Sequence, residues 1–224
     1  MKKTNLLVVV LIAATTGFPI TRVYPAFAAM PEDTQKSTVP APLKALGESG
    51  EHAFEKIYAH KYGKTLHDIA ALHKNAARLE GELSSNELDS LYESISALEK
   101  GLSINDRHAA LLASNHITAQ VADASRPYHP SMPVEVVLLD YNGRELLLWA
   151  EADDLPKLKD TAKNIHVLWK TLIPDMEKRQ ESGVVQTFGT LVERLNHATT
   201  THDYADVATP LLDGVDDIEK IYGE

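Results

Sequence analysis

The sequence predicts an all-α protein of duplicated antiparallel helical hairpins, forming one or two four-helix-bundle-like units. Three observations lead there. Apolar residues recur at i, i+3, i+4 spacing through most of the chain. Ser/Thr-x-x-Asp/Glu tetrads stand just ahead of several of these stripes, as capping boxes do. The two halves also superpose with matching apolar positions.

The elements follow in chain order. Residues 1–29 read as a signal peptide. Lys2 and Lys3 form a basic start, Leu6 to Ala14 an apolar run, and Ala26-Phe27-Ala28 a small-x-small cleavage site. The apolar run is well short of the ~20 residues that span a bilayer. An uncleaved signal anchor is the alternative, because Arg22 and a long stretch separate the run from the cleavage site. Residues 30–41 (MPEDTQKSTVPA) are polar and Pro-containing and read as a disordered lead.

Residues 42–126 form the expected N-terminal helical unit. Leu43, Leu46, Phe54, Ile57 and Tyr58 mark a first helix over 43–61. Gly63 reads as its stop. Thr65-x-x-Asp68 caps a second, with Ile69, Leu72, Ala76, Leu79 and Leu83 inward. Ser84-x-x-Glu87 caps a third, with Leu88, Leu91, Ile95 and Leu98, and Gly101 suits its end. A fourth, about 105–124, carries Ala110, Ala113, Ile117 and Val121.

Residues 127–133 (PYHPSMP) cannot continue a helix and read as a linker. The C-terminal helical unit is expected over 134–224. Its first segment, 133–150, is ambiguous. Asn142-Gly143 between apolar arms is a hairpin signal. The arms do not alternate, however, and one Gly costs a helix only about 1 kcal/mol, so a helix buried all round is the favoured reading. Leu158, Ala162, Ile165 and Trp169 mark the next helix. Pro174 and Gly183 bracket a loop, and Val185, Phe188, Val192 and Leu195 follow. Thr200-x-x-Asp203 opens the last helix, with Val207, Leu211, Val215, Ile218 and Tyr222.

The halves match at an offset of 86, then 97 after an insertion, pairing Asp68 with Asp154 and Asp106 with Asp203 at expected helix starts. A lone amphipathic helix cannot bury its stripe, so antiparallel neighbours must cover it.

Composition narrows the function. The chain has 224 residues, no Cys, 22 Lys+Arg and 32 Asp+Glu, for a formal charge of −10. Loss of residues 1–29 removes three cations, leaving 19 basic against 32 acidic residues, or −13. This balance argues against nucleic-acid binding, which needs clustered cations. Zero Cys excludes disulfides, thiolate metal sites, covalently attached haem and Cys nucleophiles. Beyond the apolar start, no segment is apolar enough to span a membrane. Gly63-Lys64-Thr65 resembles the end of a phosphate loop, but Tyr58 stands where its first Gly belongs. Nucleophile-elbow, H-E-x-x-H, EF-hand and dinucleotide motifs are absent.

Two groups of residues carry the remaining chemistry. Ten His are numerous for this length, and imidazole without thiolate suits copper, zinc, nickel or non-covalently held haem. His60, His73 and His166 border the apolar stripes and are the candidate ligands; His52, His67 and His197 point outward. No cofactor is expected outright, and a divalent transition metal or haem is the alternative. Asp140 and Arg144 stand i, i+4 in an otherwise apolar segment. They either pair structurally or, with Tyr141 and Glu145, line a ligand pocket. The resulting expectation is an exported, periplasmic or secreted helical protein, not an enzyme, that binds a protein partner or small ligand. The alternative is a His-based metal- or haem-holding bundle.

Overall fold

A computed structural model of the chain describes residues 38–62 and 65–223. The expected signal peptide, residues 30–37 of the lead and Gly63 lie outside the described residues. Among those described, the architecture is all-α, with eight α-helices: α1 Ala41–Tyr58, α2 Thr65–Ala77, α3 Ser85–Ser103, α4 Arg107–Ser125, α5 Val134–Glu151, α6 Leu155–Lys178, α7 Ser182–His197 and α8 Thr201–Tyr222. No helix of the described residues is long and apolar enough to cross a membrane.

Local chemistry accounts for most boundaries. At α3, the Ser84 hydroxyl accepts from Glu87 N while Glu87 Oε2 accepts from Ser84 N at 2.8 Å, a complete capping box. Thr200 and Asp203 do the same for α8. Asp106 and Asp154 cap α4 and α6, each accepting from the amide three residues on. Four helices end on a non-Gly residue at positive φ: His60, Asn105, Asp153 and Gln180. After each, the next amide bonds back five residues, as Asp154 N does to Trp149 O at 2.9 Å, which satisfies carbonyls at the helix end.

Several expectations are corrected. Helix α1 begins at Ala41, inside the expected lead, because Pro40 and Pro42 preset its first turn. It stops at Tyr58, with His60 in the left-handed position. Thr65 caps nothing: it lies within α2, buried, and its hydroxyl has no hydrogen bond. Asp68 instead accepts from Lys56 Nζ at 2.7 Å and ties α2 to α1. The paired Asp residues therefore do not hold equivalent places, since Asp68 is inside a helix and Asp154 before one; likewise Asp106 is a cap and Asp203 is not. Gly101 lies within α3, where a Cβ would sit 2.8 Å from Ala110 N, so it permits close approach of α4 rather than ending the helix. Pro174 lies inside α6, not in a loop. It is exposed, while Leu172 and Met176 beside it are buried and hold the helix through it.

The ambiguous segment is helical: α5 has no exposed residue from Val134 to Ala150, and Asn142 and Gly143 are both buried. Neighbour relations are simple. Helix α1 packs on α2 and α4, and α3 on α2 and α4; α5 packs on α6 and α8, and α7 on α6 and α8. The α4–α5 contact joins the two sets. Two hydrophobic cores result. One gathers Leu43, Leu72, Ile95 and Ile117, the other Leu139, Ile165, Phe188 and Leu211. The joining helices exchange residues: Ala119 and Ala122 of α4 enter the second core, and Leu148 of α5 enters the first.

Candidate functional site

The α4–α5 seam holds the densest buried polar chemistry of the described residues. Helical spacing puts Tyr141, Glu145 and Trp149 on one face of α5, and α4 presents Asn115 and His116 to it. Trp149 Nε1 donates to Glu145 Oε2 at 2.5 Å. Asn115 Nδ2 donates across the seam to the Tyr141 carbonyl at 3.0 Å. His116 Nε2 stands 3.8 Å from Glu145 Oε1, and its ring lies 6.1 Å from that of Tyr141. His108 meets Trp149 edge-on at 5.3 Å, and Lys157 Nζ lies 5.5 Å from the indole.

Two buried acceptors in this seam have no hydrogen bond, Glu145 Oε1 and Asn115 Oδ1. Glu145 is only 7% exposed. Burial pushes its carboxyl up to about 7, against the opposing pull of Trp149, Asn115, Lys157 and Tyr141. A buried carboxyl of this kind can store a proton or donate a hydrogen bond at neutral pH.

Asp140 and Arg144 lie on a different face of α5. They form an ion pair of 2.6 Å, both side chains largely buried. The guanidinium sits 5.0 Å over the Phe54 ring of α1. Burial raises the Asp140 carboxyl above its ordinary range; Arg144 opposes this, while Asp216 of α8 and Glu55 of α1 reinforce it. The pair thus sits among α1, α5 and α8. Tyr141 and Glu145 do not join it, because they turn toward α4.

The three candidate His ligands have separate surroundings. His60 follows α1 in the left-handed turn, with Nδ1 3.2 Å from the Tyr62 hydroxyl. Exposed His73 of α2 meets Glu99 of α3 at 2.9 Å. His166 of α6 meets Asn196 of α7 at 3.2 Å. Among the described residues, no three His, Asp or Glu side chains stand together as a metal-ligand set.

Solvent-facing concavity lies elsewhere. An open groove of about 550 Å³ runs between α6 and α7, with Trp169, Ile173 and Val185 below and His166, Lys170 and Glu193 on its walls. Neither this groove nor its neighbour between α7 and α8 includes Asp140 or Arg144.

No family model, no curated protein and no solved structure matches the chain.

Chain spacing sets Tyr141 and Glu145 beside Asp140 and Arg144, whereas the fold turns them toward Asn115 and His116 of α4, and Asn115 is not among the residues that the spacing marks. A signal was present. Residues 114–118 (SNHIT) put Ser, Asn, His and Thr within five positions of an Ala- and Leu-containing helix, and the structure buries all but His116.

Proposed function

We propose that the chain is an exported helical protein, without catalytic apparatus, that binds a partner or small ligand through the α6–α7 groove. The groove is the observation that carries this reading. It reaches solvent, has a half-buried apolar floor at Ile173 and Val185, and offers hydrogen-bonding and charged groups at its rim, the usual mixture in a recognition site. The buried polar groups of the seam lack such access. Export rests on the basic, apolar and small-residue order of residues 2–29.

We further read the architecture as two four-helix units from a duplication. Helices α1 and α5 correspond at an offset of 93. Pro40 and Pro133 cap them with the same φ of −56° and ψ of 136°. Gly50 and Gly143 lie against α4 and α8 respectively, and His60 and Asp153 end them in left-handed turns. The matching ring of neighbours in each set also supports this reading.

Native mass spectrometry of the protein purified from its own host tests the binding reading. A bound species lost from both Ile173→Glu and Val185→Glu, with helicity unchanged, supports it. Retention by both variants refutes the groove as the site. A second reading, a held transition metal or haem, is favoured by His166 on the groove wall. Equilibrium dialysis with copper, zinc and haem tests it; stoichiometric uptake abolished by His166→Ala supports it, and absence of uptake ends it.

A further inference from the structure

The α6–α7 groove changes character along its length. A short turn joins the two helices, and His166 of α6 meets Asn196 of α7 at 3.2 Å, so they run side by side in opposite directions. From His166 to Ile173 the α6 wall rises about 10 Å. Polar groups hold one end of that distance, and Ile173 with Val185 of α7 holds the other. A groove graded in this way suits a ligand with a polar head and an apolar body.

The polar end is a set of donors without acceptors. Trp169 lines the floor and is only 3% exposed. Its indole N–H makes no hydrogen bond among the described residues, and an indole can only donate. Gly189 of α7 leaves the space beside that nitrogen without a side chain; even a Cβ there would stand 3.8 Å from Nε1. Lys170 on the α6 wall is exposed, and no carboxylate pairs with it among the described residues. Asn196 Nδ2 donates to His166 Nδ1, so the imidazole proton sits on Nε2 and supplies a third donor. Glu193 is the one acid among the lining residues. Its carboxylate stands 4.0 Å from His197, one turn along α7, and is shared with the concavity facing α8. A cationic head would meet that single exposed carboxylate and leave the indole N–H bare.

We propose that the ligand of this groove is a small carboxylate with a short alkyl body, an assignment that rests on the groove being the binding site. The carboxylate oxygens accept from Trp169 Nε1 and Lys170 Nζ, with His166 Nε2 beside them, and the alkyl body covers Ile173 and Val185. Hydrogen bonds to an ionised acceptor are the stronger kind, which favours a carboxylate over a neutral carbonyl in the same place. The chain's net charge of −10 does not oppose this, because exposed charges more than roughly 10 Å away are screened at physiological salt.

The test titrates the isotope-labelled full chain with hexanoate, and with hexanamide and hexylammonium, which keep the alkyl body and change the head. The chain has two Trp and therefore two indole N–H resonances. Hexanoate should move that of Trp169 downfield and leave that of Trp149, which already donates to Glu145 at 2.5 Å. Its affinity should exceed that of either other probe by about tenfold, and Lys170→Gln, a change at an exposed position, should remove about that factor. Ile173→Glu, with helicity unchanged, should abolish binding. Equal or greater affinity for either other head, still abolished by Ile173→Glu, overturns the carboxylate assignment while the groove stands as the site. A Lys170→Gln protein that binds hexanoate as tightly as the parent overturns it too. Hexanoate binding that survives both Ile173→Glu and Val185→Glu puts the ligand outside the groove and overturns both readings. Absence of binding by all three probes overturns the carboxylate alone, since native mass spectrometry of the host-purified protein decides the groove by its own bound species.

Discussion

Replacing Gly101 and Gly189 separately with Ala makes opposite predictions from the same chemical change. Both residues lie inside helices, where Ala is about 1 kcal/mol the better helix former. Their surroundings differ. A Cβ on Gly101 would lie 2.8 Å from Ala110 N and 3.0 Å from Ala110 Cα, and both are backbone atoms of α4. A side chain could swing away from such a contact, but a helix backbone must shift as a body. Overpacking of this kind costs about 1–3 kcal/mol, and a backbone clash belongs at the upper end. After the propensity gain, Gly101→Ala should destabilise by about 2 kcal/mol, a fall in Tm of roughly 4–8 °C at this chain length. A Cβ on Gly189 would meet only Trp169 Nε1, at an ordinary 3.8 Å. Gly189→Ala should therefore gain about 1 kcal/mol and roughly 2–4 °C. Urea unfolding with unchanged m-values, alongside calorimetry, reads both. A Gly101→Ala protein as stable as the parent would refute the claim that this glycine exists for the α3–α4 approach.

Other expectations concern charge. Asp140→Ala should cost about 3 kcal/mol, because it strands the Arg144 guanidinium in a largely buried place. The joint replacement Asp140→Leu with Arg144→Met should cost far less, and a double-mutant cycle in urea measures the difference; equal losses would show that the pair is not coupled. Thr200→Ala removes the acceptor for Asp203 N and should cost about 1 kcal/mol in thermal stability. Asp203 is held down to about 2 by the Thr199 and Thr200 amides and the Thr200 hydroxyl. Its contribution is therefore present above the ordinary carboxylate range and is lost as pH falls through about 2. NMR titration of the Asp203 carboxyl checks this, and a midpoint near the ordinary 3.8 would contradict it.

Much of the fold was legible because helix formation is read over a few turns. Stripes such as Leu91, Ile95 and Leu98 repeat at the helical period and are buried. The boxes at Ser84 and Thr200 are complete within four residues, so distant packing has little to change. Errors arose where a distant partner outweighed the local signal. Lys56 takes Asp68 away from a cap, and the burial of Met176 carries α6 through Pro174. Tyr58 reads as core from its spacing, yet it is 41% exposed and lies beneath the Arg107 guanidinium.

The candidate site divides along the same line. Asp140 with Arg144, and Glu145 with Trp149, are i, i+4 neighbours on one helix, a relation that the chain alone determines once α5 is helical. That Glu145 meets Asn115, while Asp140 faces α1 and α8, was decided only by tertiary structure. Helices α4 and α5 are enclosed almost all round, so neither has a polar stripe to announce which face meets which neighbour. Their relative rotation and axial offset come from the packing of small residues and close glycines against several helices at once, and no local sequence pattern encodes that sum.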